Sequence, residues 1–272
     1  MKTKRLFALA FCALAAGAIA GQARAAAHCF GLQATIVGTD GNDVLRGTTG
    51  RDVIVARGGS DEVLAGDGND LVCGGAGNDS IGLGRGDDSG AGGRGADSIR
   101  GSRGRDALLL GRGDDFGFGG PDRDRLSGGR GDDHLEGGKG TDFVDGAVGD
   151  DLIIDIRRRT DDDHYDGGRG LLDIVWWQGR SPISADLLTG VATGHGTDTL
   201  AHVEGLFGGA DSDTLLGNNR SNLILGFTGN DHLEGRGAGD TLRGGRGVDF
   251  LDGGSGFTDF CFGGETVLNC EM

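Results

Sequence analysis

From position 43 to position 151 an aspartate stands at every ninth residue without a miss: Asp43, Asp52, Asp61, Asp70, Asp79, Asp88, Asp97, Asp106, Asp115, Asp124, Asp133, Asp142 and Asp151. Low-complexity drift yields composition, not register, so a column this strict marks a structural unit of nine residues. Laid out in nines from Gly38, aspartate holds the sixth place of thirteen consecutive blocks. The fourth place is glycine except where Asp122 replaces it in the tenth block. The eighth is aliphatic (Leu45, Ile54, Val63, Val72, Ile81, Ile99, Leu108, Leu126, Leu135, Val144, Ile153), with Gly90 and Gly117 as exceptions. Collagen is excluded, because it needs a period of three and abundant proline, and only 2 prolines accompany the 60 glycines of this 272-residue chain.

Each column has a physical meaning. Glycines at places one, two and four let the backbone turn where a Cβ forbids it. The residues after the aspartate, with only the eighth place apolar, fit a strand of three whose middle side chain points inward. Two blocks then complete one turn of a flattened parallel coil, and thirteen blocks stacked at about 4.8 Å make a rod of roughly 31 Å. Gly90 and Gly117 are expected to leave gaps in the core, and Pro121 with Asp122 to disturb the tenth turn, so weaker ion binding or fraying is expected there.

One inward aliphatic per nine residues offsets little of the cost of ordering a glycine-rich backbone. Stacking also sets each sixth-place aspartate beside the one eighteen residues on, like charge against like. A cation must bind the turns. Calcium fits, taking six to eight oxygen ligands from carboxylates and backbone carbonyls in a forgiving geometry, whereas magnesium demands a tighter octahedron and zinc prefers His or Cys. Asp43–Asp61–Asp79–Asp97–Asp115–Asp133–Asp151 stack on one edge and Asp52–Asp70–Asp88–Asp106–Asp124–Asp142 on the other, leaving six and five gaps as candidate calcium positions. Asp87, Asp114, Asp132 and Asp150 at the fifth place are candidates to strengthen some of them.

Blocks such as Gly74-Gly75-Ala76-Gly77-Asn78-Asp79-Ser80-Ile81-Gly82 and Gly128-Gly129-Arg130-Gly131-Asp132-Asp133-His134-Leu135-Glu136 resemble the G-G-x-G-x-D-x-U-x nonapeptide of RTX (hemolysin-type) proteins. The resemblance implies an all-β parallel β-roll, a β-solenoid whose turns bind several calcium ions. The opening segment around Cys29 and the close from Cys261 to Glu271 resemble a subgroup of secreted bacterial calcium-binding proteins.

Repeats resume at Gly208, with Asp213, Asn222, Asp231, Asp240 and Asp249 at the sixth place and an imperfect block ending near Phe262. Asp213, Asp231 and Asp249 stack on one edge; Asn222, Arg220 and Ala238 break the pattern, so fewer ions are expected here. Residues 155–207 lose the register. Arg157, Arg158 and Arg159 followed by Asp161, Asp162 and Asp163 read as an exposed charged loop, and the alternation around Ile183, Ala185 and Leu187 reads as a longer strand. The fold expected is two repeat arrays, 28–154 and 208–272, joined by a longer-stranded connecting segment. Trp176 and Trp177 are adjacent, so on a strand one faces outward, either covered at the array junction or exposed to a sugar or a surface.

Residues 1–27 form a secretory signal, with Lys2, Lys4 and Arg5 ahead of an apolar stretch over 6–20 and small residues at the cleavage site. The product is expected outside the cell. No other apolar run reaches the length of a membrane span. Removal of the signal takes Cys12, leaving Cys29, Cys73, Cys261 and Cys270 in an oxidising compartment. Three pairings are open; Cys29 with Cys73 and Cys261 with Cys270 are favoured. The 42 acids against 26 bases, net charge −16, argue against a nucleic-acid partner. No H-E-x-x-H or G-x-S-x-G motif is present. The reading is a monomeric, non-catalytic, calcium-binding secreted protein. The alternatives are an extracellular adhesin or matrix module displaying 155–207, with a cell-surface or polysaccharide ligand, and more remotely a cryptic hydrolase.

Overall fold

The computed structural model describes residues 27–156, 161–194, 196–256 and 258–271. Residues 1–26 of the expected secretory signal and the basic run Arg157, Arg158 and Arg159 lie outside the described residues. Every regular element among the described residues is a strand. Two largely parallel sheets, of 12 and 15 strands, face each other, and the chain alternates between them, so that hydrogen-bonded neighbours are usually one full coil apart. In the first array the register is eighteen residues, with Ile81 beside Ile99 in one sheet and Leu108 beside Leu126 in the other.

Val44–Arg46, Thr214–Leu216, His232–Glu234 and Phe250–Asp252 have the three residues expected, but from Val53–Gly58 to Phe143–Val148 the strands are longer. Glu62–Asp67, Leu71–Ala76 and Ser80–Arg85 each run for six, with inward positions at the second and fourth. The second inward residue is the first place of the following block, which continues the strand before the turn begins. Most blocks put glycine there, but Ala56, Ala65, Leu83 and Leu110 are fully buried and double the apolar content of their layers.

That second column corrects the expectation of gaps at Gly90 and Gly117. A Cβ at Gly90 would lie 3.2 Å from Leu83 Cδ1 and 3.3 Å from Ile99 Cγ2; at Gly117 it would lie 3.0 Å from Leu110 Cδ1 and 3.1 Å from Leu135 Cδ2. A leucine seven residues earlier fills the space that each glycine vacates, so the core stays packed. The tenth turn also keeps its register. Asp122 adopts φ +83° and Pro121 ends the strand Phe116–Pro121, while the turn still delivers Asp124 to the Asp106 amide at 2.8 Å.

Both sheets continue through residues 155–207. Ile153, Val175, Leu206 and Ile224 form one inward column, and Val144, Tyr165 and Leu200 the other. The extra residues lengthen the coil, while the strands run three to five residues. Ser184–Asp186, Val191–Thr193 and Thr197–Ala201 pair antiparallel within the 15-stranded sheet. Arg236 clamps this excursion, donating to both carboxylate oxygens of Asp186 at 2.7 and 2.9 Å and to the Gly217 carbonyl at 2.9 Å. Trp177 is in the core; Trp176 points outward and stacks on Phe227 with centroids 5.8 Å apart. Disulfides join Cys29 to Cys73 and Cys261 to Cys270.

Candidate metal centres in the stacked turns

The sixth-place aspartates end each turn and are buried from Asp52 onward, 6% exposed or less through Asp151. Each turns one oxygen to the coil before it. The amide of Asp43 donates to Asp61 Oδ1, and the same bond repeats down both edges at 2.7–3.0 Å as far as Asp151 and Asp142. The sequence placed these residues on two edges in this order. What it did not show is that the carboxylates themselves form the inter-coil hydrogen bond.

The second oxygen is different. Oδ2 of Asp61, Asp70, Asp79, Asp88, Asp97, Asp106, Asp115, Asp124, Asp133, Asp142, Asp151, Asp173, Asp231, Asp240 and Asp249 is buried without a hydrogen-bond partner. A buried charged oxygen left in this way is costly, so the site is built for something the polypeptide does not supply. Other oxygens converge on it. A Cβ at Gly92 would fall 2.5 Å from Asp97 Oδ2 and 2.6 Å from the Leu110 carbonyl oxygen; at Gly119 it would fall 2.6 Å from Asp124 Oδ2 and 2.5 Å from the Gly137 carbonyl. First-place glycine thus keeps open a cradle between a carboxylate and a carbonyl of the next coil. No three His, Cys, Asp or Glu side chains gather into a metal cluster among the described residues. Carboxylate pairs supplemented by carbonyls form an all-oxygen donor set, which suits calcium.

Asp43, Asp52 and Asp213 are exceptions. The Thr39 amide and hydroxyl donate to Asp43 Oδ2 at 2.6 and 2.9 Å, and Thr48 donates in the same way to Asp52. Gly209 N donates to Asp213 Oδ2 at 2.7 Å. These turns close on themselves.

Burial, reinforced by neighbouring carboxylates and opposed by the donated backbone N–H, raises the sixth-place aspartates of the first array from Asp61 to Asp151 above their ordinary range. Asp79, Asp88 and Asp115 reach about 6, Asp97, Asp106, Asp133, Asp142 and Asp151 about 7, and Asp124, in the middle of the roll, about 8. Asp61 and Asp70, nearer the end, rise for the same reasons.

The ladders do not stop where the nine-residue register stops. Asp142 donates its amide to Asp163 and Asp163 to Asp198; on the other edge Asp151 donates to Asp173 and Asp173 to Glu204. Ile183 donates to Asp213, which leads through Asp231 and Asp249 to Glu265, while Asn222 leads through Asp240 to Asp259. Asp163, Asp198, Glu204 and Glu265 escape a search by spacing, while Asp173 and Asp259 are legible in the sequence as repeats with one inserted residue. A shorter signal holds at all six: the acid stands two residues before a residue in register with an inward column (Tyr165, Val175, Leu200, Leu206, Cys261 and, exposed at the end of the roll, Val267).

A sequence profile of the RTX calcium-binding nonapeptide repeat matches residues 37–72, 46–81, 59–90, 82–116, 118–153, 207–237 and 225–258, together well over half of the chain. No curated protein matches it. Strict aspartate columns, a two-sheet parallel roll and oxygen-lined turns agree with that match: the chain belongs to the RTX family, whose nonapeptide repeats bind multiple calcium ions.

Proposed function

We propose that this is an exported, non-catalytic protein whose folding is the act of binding calcium. The observation that carries the reading is the run of buried, partnerless Oδ2 atoms on stacked aspartates. Asp61, Asp70, Asp79, Asp88, Asp97, Asp106, Asp115, Asp124, Asp133, Asp142 and Asp151, with Asp231, Asp240 and Asp249, would hold the ions together with turn carbonyls. Asp43, Asp52 and Asp213, whose second oxygen is already engaged, would hold them least. A bound ion supplies the positive charge that offsets like-charge stacking and links one coil to the next, so affinity and stability are one free energy.

Residues 1–27 would direct export, 28–154 and 208–272 would be the calcium-loaded arrays, and 155–207 would continue the coil between them. The chain would cross the membrane unfolded at low calcium and fold outside, where sites of roughly 10⁻⁴–10⁻³ M are filled. No helix among the described residues is long and apolar enough to span a membrane. Circular dichroism of the chain from His28 onward, titrated with calcium and then EGTA, tests the reading. A cooperative, reversible transition to β structure, weaker with magnesium, is expected. A chain fully β-structured in EGTA at neutral pH would overturn it.

A further inference from the structure

The outer face of the 12-stranded sheet carries a groove of about 480 Å³ near its C-terminal end. Its walls are assembled by register: the lining residues Leu225, Arg243 and Phe262 continue an outward ladder that runs from Trp176 and Phe207, which lie behind the groove, and Phe227 lies beside Gly245 in the next. The ring of Phe227 stacks on Trp176 and meets Phe207 edge-on, both at 5.8 Å between centroids.

Two features set this face apart. Phe227 holds φ +69° at the second place of its block, where glycine stands in most repeats; Arg57, Ser102, Ala147 and Arg236 share the conformation, and Phe227 is the aromatic one among them. A bulky side chain in that conformation is strained, and Phe227 is 38% exposed, so core packing does not explain it. Arg243 and Arg246 line the same groove, with no carboxylate among its lining residues and no ion-pair partner for either among the described residues. In a chain of net charge −16, two unpaired guanidiniums beside an aromatic platform form a local inversion of sign.

We infer that this groove binds an acidic sugar unit of a polysaccharide. The aromatic faces offer a flat apolar surface for the C–H face of a pyranose ring, and the guanidiniums offer planar forks for its carboxylate. The volume falls within the range of small-ligand sites, about 300–1,000 Å³. Gly245 and Gly263 leave the floor clear of side chains. The inference rests on the calcium-folded reading to the extent that only the folded roll aligns these strands.

The test uses the chain from His28 onward in saturating calcium, with folding verified by circular dichroism. Tri-galacturonate and its fully methyl-esterified counterpart are titrated by calorimetry, with indole fluorescence reporting on Trp176. The acid should bind, and the ester at least about tenfold more weakly. Arg243→Ala and Arg246→Ala should each lower the affinity by about tenfold and flatten its salt dependence. Phe227→Gly, which removes both ring and strain, should leave the calcium transition intact and abolish binding. Equal affinity for acid and ester, or variants that bind normally, would overturn the inference. So would binding only to vesicles containing phosphatidylglycerol. A folded protein that ignores the trimer refutes this site alone, whereas a chain with no calcium transition refutes the metal reading first.

Discussion

Acid should fold this protein in place of calcium. In the coil nine aspartates of the first array sit at about 6 to 8, against 3.8 for an ordinary aspartate. A carboxyl raised in the folded state stabilises that state fully below the unfolded value, and the contribution is lost as pH rises through the folded value. A group at about 7 thus favours the coil at pH 5 by roughly 2.6 kcal/mol more than at pH 8. Solvent screening at the turns reduces this to about 1 kcal/mol each. Nine such groups supply about 10 kcal/mol, comparable with the whole stability of an ordinary domain. In EGTA, far-ultraviolet circular dichroism should report an open chain at about pH 8 and β structure at about pH 5, with a midpoint between about 6 and 7. The titration stops above the isoelectric point near 4.6. Saturating calcium should remove the transition, because ions then neutralise the carboxylates at every pH in the window. A metal-free chain that is β-structured at pH 8 and unfolds on acidification would refute the reasoning, since the orphaned oxygens would then not be the obstacle to folding.

Three further outcomes follow from the same geometry. Asp106→Asn, in the middle of its ladder, should raise the calcium midpoint and remove about two ions from the count by calorimetry, because one carboxylate serves two gaps; Asp43→Asn, where Thr39 already satisfies Oδ2, should change the count little. Leu110→Ala should cost about 2–5 kcal/mol and Gly117→Ala about 1–3 kcal/mol, yet the double variant should recover part of the loss, as the new methyl occupies the space vacated by the leucine; additive losses in calcium-saturated urea melts would contradict the packing described. Reduction of Cys29–Cys73, which closes 44 residues, should cost about 4 kcal/mol by loop entropy and show as a lower urea midpoint than in the Cys261→Ser/Cys270→Ser variant, whose missing bridge spans only 9 residues and is worth about 2.6 kcal/mol.

The amino-acid sequence alone determined the repeat, the parallel roll, the two aspartate edges and the demand for an oxygen-coordinated cation. Each is a local rule repeated: glycine where the backbone turns, an acid at the end of the turn, an aliphatic two residues later. Periodic local rules survive in a one-dimensional record because every coil meets the same neighbour at the same distance. What the tertiary structure decided are relations between coils. Leu83 and Leu110 fill the space of Gly90 and Gly117 only because the first and eighth places face the same thin core. Asp163, Asp173, Asp198 and Glu204 join the ladders despite insertions that destroy the spacing, since strand register depends on which residues reach the sheet and not on the length of the loop between them. The aromatic groove is a juxtaposition of the same kind. Phe227, Arg243 and Phe262 are up to 35 positions apart in the chain, and parallel stacking at about 4.8 Å per coil brings them to one groove.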